Sequence, residues 1–159
     1  MDKSNRTRIR NLVRIMLYIA SDHAGYTRKE QVKIFLEKNR IKYKDLGPSN
    51  NEKRVDYPDY AKKVCKKILL KPDKNKGILI CGSGTGMSMA ANRFKKIRAV
   101  IGYDIYSAKM SRRDNDSNVL CLRALKFSLI KTIPILKTWF STSPNNDPRY
   151  KIRAQKLDR

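Results

Sequence analysis

Gly77-Ile78-Leu79-Ile80-Cys81-Gly82-Ser83-Gly84-Thr85-Gly86-Met87-Ser88 decides how the rest of the chain is read. Ile78, Leu79 and Ile80 form a continuous apolar run that ends in a cysteine, and three glycines then alternate with the hydroxyls of Ser83 and Thr85. An unbroken apolar run bounded by glycine suits a strand buried on both faces. The next residues, Met-Ser-Met-Ala-Ala-Asn-Arg-Phe, contain no breaker and suit a helix. The local order is therefore strand, glycine turn, helix. Such a turn aims several backbone N–H groups into one small space, which suits an anion. The Cys81 thiol at its mouth can reach whatever that anion belongs to.

Four further strands are expected outside this centre: Arg14 to Ala20, Arg40 to Leu46, Ile97 to Gly102 and Asn118 to Leu122. Helical patterns lie between them. Thr27 to Asn39 carries Val32, Phe35 and Leu36, with Thr27 as the expected cap and Glu30 three residues on. Pro58 opens a helix whose apolar stripe is Ala61, Val64, Cys65, Ile68 and Leu69. Ile105 to Arg113 and Phe127 to Phe140 follow, the latter with Pro134 inside it, where a kink or break is expected. Five strands alternating with five helices predict an α/β chain, a Rossmann-like three-layer sandwich around a five-stranded parallel sheet. Residues 14–159 read as one domain ending in a basic tail, and residues 1–13 as a basic N-terminal extension.

A chain of 159 residues can bury roughly two-thirds of its extended surface, so it needs neither disulfide nor metal to hold a core. Cys65, Cys81 and Cys121 form no CxxC pair and His23 is the only histidine, so no structural zinc is expected. The same cysteine usage fits a reducing, cytoplasmic compartment, with Cys65 and Cys121 as ordinary buried thiols. No apolar run approaches the roughly 18 residues of a membrane span, and Arg14 interrupts the run that follows the basic N-terminus, which argues against a secretory signal. Against 14 acidic residues stand 37 Lys and Arg, a net charge of +23. That charge attracts polyanions, but the lysines are scattered, so nucleic acid is expected to bind only non-specifically. Small anionic substrates fit better.

Ligands of doubly wound sheets bind at the carboxyl ends of the strands. Asp22 and His23, the Cys81 loop, Tyr103 and Asp104, and the stretch after Leu122 all fall there. Cys81 is either a small buried hydrophobe or, because N–H groups favour a thiolate, a nucleophile or base. The glycine loop behind it favours chemistry. His23 beside Asp22 can bind a sugar hydroxyl, shuttle a proton, or only cap the following helix. Gly82-Ser83-Gly84-Thr85-Gly86 is GxGxG rather than GxGxxG and no GxxxxGK[ST] is present, so a nucleotide site is poorly supported. The loop is either an enediolate cradle or a tight turn that needs glycine. Arg149 and Arg153, four apart, share a face if the tail is helical, and arginine forks suit phosphate, although a solvated pair would look the same.

Taken together, SDHAGY at Ser21 to Tyr26, VDYPDYA at Val55 to Ala61, GILICGSGTGMSMAANRFKKIRAV at Gly77 to Val100, YSAKMSRRDNDSNVLCL at Tyr106 to Leu122 and the terminal RYKIR resemble the ribose-5-phosphate isomerase B and galactose-6-phosphate isomerase family. The resemblance implies interconversion of ribose 5-phosphate and ribulose 5-phosphate through a cis-enediolate in the non-oxidative pentose phosphate pathway, without a metal or organic cofactor. It implies Cys81 as the base, with Gly82, Ser83, Gly84, Thr85 and Gly86 as the cradle. Asp22 and His23 would contact the sugar, Tyr57 would line the pocket, Asn115 would bind substrate, and Arg149 and Arg153 in the tail would bind phosphate. It also implies a homodimer or tetramer with shared active sites.

Three positions depart from the family pattern. Asp114 stands where the family has its ring-opening histidine, Leu125 where it has an arginine, with Arg123 two residues away, and Tyr150 where a histidine is common. Asp114 is thus the expected third catalytic position, with His23 as the group that takes over if Asp114 is ionised. Two alternatives stand beside this reading: an isomerase of a hexose 6-phosphate such as allose or galactose 6-phosphate, and a polyanion-binding homologue with impaired catalysis.

Overall fold

The structure is a computed structural model that describes residues 16–158. The expected N-terminal extension, 1–13, and the domain start at Arg14 lie outside the described residues. The chain runs β1 (Leu17–Ser21), α1 (Tyr26–Lys38), β2 (Tyr43–Asp45), α2 (Tyr57–Leu69), β3 (Lys76–Cys81), α3 (Thr85–Ala91), β4 (Ala99–Ile101), α4 (Ile105–Arg113), β5 (Val119–Arg123), α5 (Leu129–Ser141) and α6 (Pro148–Leu157). The strands form one parallel sheet in the order β2-β1-β3-β5-β4. The glycine-loop strand is its centre.

Because side chains alternate across a strand, β3 feeds two cores. Ile78 and Ile80 join Val32 and Leu36 of α1, Ala108 of α4 and Trp139 of α5 on one face. Leu79 and Cys81 join Val64 and Ile68 of α2 and Met87 of α3 on the other. Helices therefore cover both faces, as the three-layer reading requires. Gly77 belongs to this packing, since a Cβ there would lie 2.7 Å from Val64 and 2.8 Å from Ile68. Among the described residues no helix is long and apolar enough to cross a membrane.

The structure differs from the sequence reading in several local details. The cap of α1 is Gly25, not Thr27, and no side chain caps it. The Gly25 carbonyl accepts from the Lys29 N–H at 2.9 Å, which already places Thr27 inside the helix. Glu30 pairs with Lys33 at 2.9 Å and with Lys29 at 3.3 Å instead of closing a capping box. Helix α5 runs through Pro134 without a break. The tail forms a sixth helix, because Asp147 accepts from the Arg149 N–H at 2.9 Å and Pro148 suits the first turn.

One buried cation ties α1 to the edge of the sheet. Lys29 is fully buried, and its Nζ donates to both Asp45 oxygens at 2.9 and 2.8 Å and to the Pro48 carbonyl at 2.7 Å. This fixes the segment after β2, whose Gly47 carbonyl accepts from the Ser21 N–H at 3.1 Å at the end of β1.

Candidate active site

Strand order, not strand direction, reverses between β1 and β3: β2 is added on one side of β1 and β3 on the other, so a crevice opens at the carboxyl ends of β1 and β3. Glycine brings the two ends together. A Cβ at Gly25 would lie 2.3 Å from the Ile80 carbonyl oxygen, so only glycine lets the β1–α1 turn rest on β3. The same carbonyl accepts from the Asp22 N–H at 3.1 Å. Asp22 and His23 are thereby held beside Cys81.

Asp22 is buried, and its Oδ1 accepts from the Gly25 N–H at 2.8 Å. Burial raises its pKa above the ordinary carboxylate value, while that hydrogen bond and the neighbouring His23 pull it partly back. His23 Nδ1 lies 3.1 Å from the Val55 carbonyl and 3.3 Å from the Val55 N–H. With a proton on Nδ1 the ring donates to the carbonyl and leaves Nε2 as an acceptor. With Nδ1 bare it accepts from the N–H and presents Nε2–H as a donor. Either way, the Val55 backbone orients the ring.

Cys81 is 4% exposed, and its Sγ accepts from the Gly84 N–H at 3.1 Å. Gly84 has φ +83°, the left-handed region that favours glycine, and it caps α3. Thr85 N–H donates to Ser83 Oγ at 3.2 Å. The glycine loop thus wraps the sulfur and directs the first turn of α3 across the crevice. Tyr57 forms one wall, since a Cβ at Gly86 would lie 2.8 Å from its ring. Leu125 forms another, 3.2 Å from the corresponding position at Gly82. The wall is fixed because Ala124 and Leu125 N–H groups donate to the Cys81 and Gly82 carbonyls, both at 3.0 Å. Cys65 and Cys121 lie buried, where desolvation pushes Cys65 up to about 12 and Cys121 well above its ordinary value.

The remaining candidates lie at the opposite edge. Helix α4 leads into β5, so Asp114 and Asn115 after it sit where β5 begins. The Arg113 carbonyl accepts from the Asn145 N–H at 2.8 Å, which brings α6 to the same edge. Arg149 pairs with Asp147 at 2.7 Å, and the Arg153 guanidinium lies 5.6 Å from the Tyr150 ring. Asp114 pairs with Arg113 at 2.6 Å, and that hydrogen-bonded guanidinium holds its carboxyl below the usual range. Asp114 is ionised at neutral pH. The five residues of β5 separate the two edges by roughly 15 Å. A single chain brings together Asp22, His23, Tyr57, Cys81 and Gly82 to Gly86, but not Asp114, Asn115, Arg149 or Arg153.

Arg123 is paired in register with Cys81, yet its guanidinium donates to the Lys126 carbonyl and lies 5.0 Å from the Phe127 ring. Sequence reasoning missed two contributors, Gly25 and Val55, and read Leu125 only as a departure from the family arginine. The first stood inside the SDHAGY motif as an unexplained glycine, and the second acts through its backbone, which leaves no trace in composition.

Comparison with known proteins bears on the family and the fold. The profile described as Ribose/Galactose Isomerase matches residues 17–157. A Rickettsia conorii protein with the provisional name of a sugar phosphate isomerase is 45% identical over 141 residues, 89% of this chain and 96% of its own. The crystal structure of a Thermotoga maritima ribose 5-phosphate isomerase superposes with a TM-score of 0.83 at 39% identity, covering 91% of this chain and 97% of that one. The Mycoplasma genitalium ribose-5-phosphate isomerase B with bound ribulose-5-phosphate gives 0.86 at 34% identity, covering 90% and 93%.

Proposed function

Because this chain belongs to the ribose/galactose isomerase family, we propose that it is an aldose–ketose isomerase that interconverts D-ribose 5-phosphate and D-ribulose 5-phosphate in the cytoplasmic, non-oxidative pentose phosphate pathway. The observation that carries this reading is Cys81 Sγ wrapped by the glycine loop and hydrogen-bonded by Gly84, with Asp22 and His23 seated beside it. The ribulose-5-phosphate bound to the Mycoplasma genitalium relative supports a pentose.

The Cys81 thiolate takes the proton from C2 of the open aldose. The electron pair moves toward the carbonyl, giving a cis-enediolate. Its negative oxygen is met by backbone N–H groups of the Gly82 to Gly86 loop other than those of Gly84 and Thr85, which serve Cys81 Sγ and Ser83 Oγ. The O2 proton passes to O1 and the thiol returns its proton to C1, which leaves a C2 carbonyl and a C1 hydroxyl, the ketose, and restores the thiolate. Ring opening needs a proton donor, and an ionised Asp114 is an acceptor. His23, in the tautomer that accepts from Val55 N–H, presents Nε2–H to the ring oxygen. The phosphate is held by Arg149 and Arg153 with Asn115. Since these lie at the far edge of the same chain, a second copy supplies them, and the working unit is a homodimer or a dimer of dimers.

The test is incubation with ribose 5-phosphate in deuterated water. Wild-type protein incorporates deuterium at the exchangeable carbon, and Cys81→Ala loses at least about 100-fold of that rate with its circular dichroism unchanged. No exchange by wild type sinks the isomerase, and a fully active Cys81→Ala sinks the role of the cysteine. Faster exchange with allose or galactose 6-phosphate moves the substrate to a hexose.

A further inference from the structure

The edge that carries Asn115 and the tail arginines is built around one side chain, Arg98, which lies in the turn before β4. Its Nε donates to the Asp116 carbonyl at 2.9 Å, and its Nη2 pairs with Asp116 Oδ2 at 3.1 Å. Its Nη1 reaches the other way, to Asp158 at 2.9 Å, just past the end of α6. Arg98 therefore bonds two elements that are 42 residues apart in sequence, counting from Asp116 to Asp158.

The first of these elements is strained and firmly fixed. Asp116 has φ +46°, a left-handed conformation for a residue with a side chain. It is held there by Arg98 and by Arg112, whose Nη1 pairs with Asp116 Oδ1 at 2.7 Å and donates also to the Ser117 carbonyl. Ser117 Oγ accepts from the buried Trp139 Nε1–H at 2.8 Å. Asn118 Oδ1 accepts from the Arg98 N–H at 2.8 Å, so the backbone on both sides of Arg98 and of Asp114–Asn115 is pinned. The second element, α6, touches the first through the Asn145 N–H on the Arg113 carbonyl at its N-terminal side and through Arg98–Asp158 at its far end. Between them lies a cavity of about 280 Å³, walled by Asp114 and Asp116 on one side and Tyr150, Lys151 and Asp158 on the other.

We propose that Arg98 is a positioning residue: its bridge from Asp116 to Asp158 sets α6, with Arg149 and Arg153, at a fixed spacing from Asn115, and so shapes the phosphate grip. The inference rests on the reading of those three residues as phosphate ligands. An arginine suits the role because its planar fork bonds a carbonyl and two carboxylates at once, which the point charge of lysine does not reproduce.

The informative variant is Asp158→Ala, which removes one arm of the bridge at the exposed end of α6 and leaves Arg98–Asp116 and the sheet intact. Inorganic phosphate is titrated into wild type, Asp158→Ala, Arg98→Gln and the double variant by calorimetry, and turnover of ribose 5-phosphate is measured on the same samples. Asp158→Ala is expected to weaken phosphate and to raise KM by roughly 3- to 10-fold with kcat nearly unchanged, the pattern of lost uniform binding. Arg98→Gln in the Asp158→Ala background is expected to add less than it does alone. Unchanged phosphate affinity in Asp158→Ala overturns the bridge, as does a fall in kcat matched by a fall in folded fraction. Phosphate binding by a wild type that turns over no ribose 5-phosphate counts against the isomerase reading alone, and no phosphate binding by wild type overturns both.

Discussion

At the scale of single residues, the site is held together by placements that cost stability. Asp22 is a buried carboxylate whose pKa is raised by that burial, against the pull of the Gly25 N–H. A group whose folded pKa exceeds its unfolded value of about 3.9 contributes stability that is fully present below that value and is lost as pH rises through the folded pKa. Ionised Asp22 is thus a burden at neutral pH. Asp22→Asn keeps the acceptor for Gly25 and removes the charge. It should raise the urea midpoint at pH 7 while lowering the deuterium exchange rate, and the stability gain should vanish below about pH 4. Asp114 presents the opposite case, a carboxylate kept ionised by Arg113 where a proton donor would be useful. If ring opening limits the reaction, Asp114→His raises kcat with the furanose substrate. The check is whether that gain disappears with a substrate that cannot cyclise.

Between elements, the clearest device is the Lys29–Asp45 clamp that joins α1 to the end of β2. Burial pushes the Asp45 pKa up, but hydrogen bonds from Lys29 and Lys33 outweigh it and hold it below its ordinary value. A depressed folded pKa contributes stability above the unfolded value and loses it as pH falls through the folded one. Asp45→Asn keeps one oxygen acceptor but removes the charge opposite the fully buried Lys29, whose remaining carboxylate partner is Glu30 at 3.3 Å. The expected cost is roughly 3 kcal/mol at pH 7, read as a lower urea midpoint. The gap between variant and wild type should close on acidification below about pH 4, because the wild-type carboxylate then protonates as well.

For the molecule as a whole, the two groups of candidate residues at opposite edges of one sheet make a specific prediction. If each site joins the Cys81 edge of one chain to the Asn115, Arg149 and Arg153 edge of another, two inactive variants can rescue each other. Cys81→Ala mixed with the double variant Arg149→Ala, Arg153→Ala, unfolded and refolded together at equal amounts, should regain roughly a quarter of wild-type activity, since half of the dimers are mixed and each carries one intact site. No recovery from a mixture shown to contain mixed dimers would place the whole site within one chain. The charge of +23 needs no second function in this picture, because both substrate and product are anions.

The sequence by itself determined the layered architecture, because period and glycine punctuation are local properties: the apolar run at Ile78 to Ile80 suits a strand covered on both faces, and the GSGTG that follows suits a turn into a helix. It also marked Cys81, Asp22 and His23, since a parallel sheet brings strand ends to one edge whatever the details. What it left open depended on contacts between segments distant in the chain. Gly25 caps α1 because its missing Cβ lets it lie on Ile80, 55 positions away. Pro134 is tolerated inside an unbroken α5, although Pro134 by itself predicts an interruption. The tail helix, only conditional in the sequence, starts at Pro148 behind Asp147, and the Asn145 bond to Arg113 and the Arg98–Asp158 bridge place it at the far edge from Cys81. Tertiary structure alone decided that the candidate residues form two groups rather than one, because position along a strand, and not order in the sequence, sets which edge a side chain occupies.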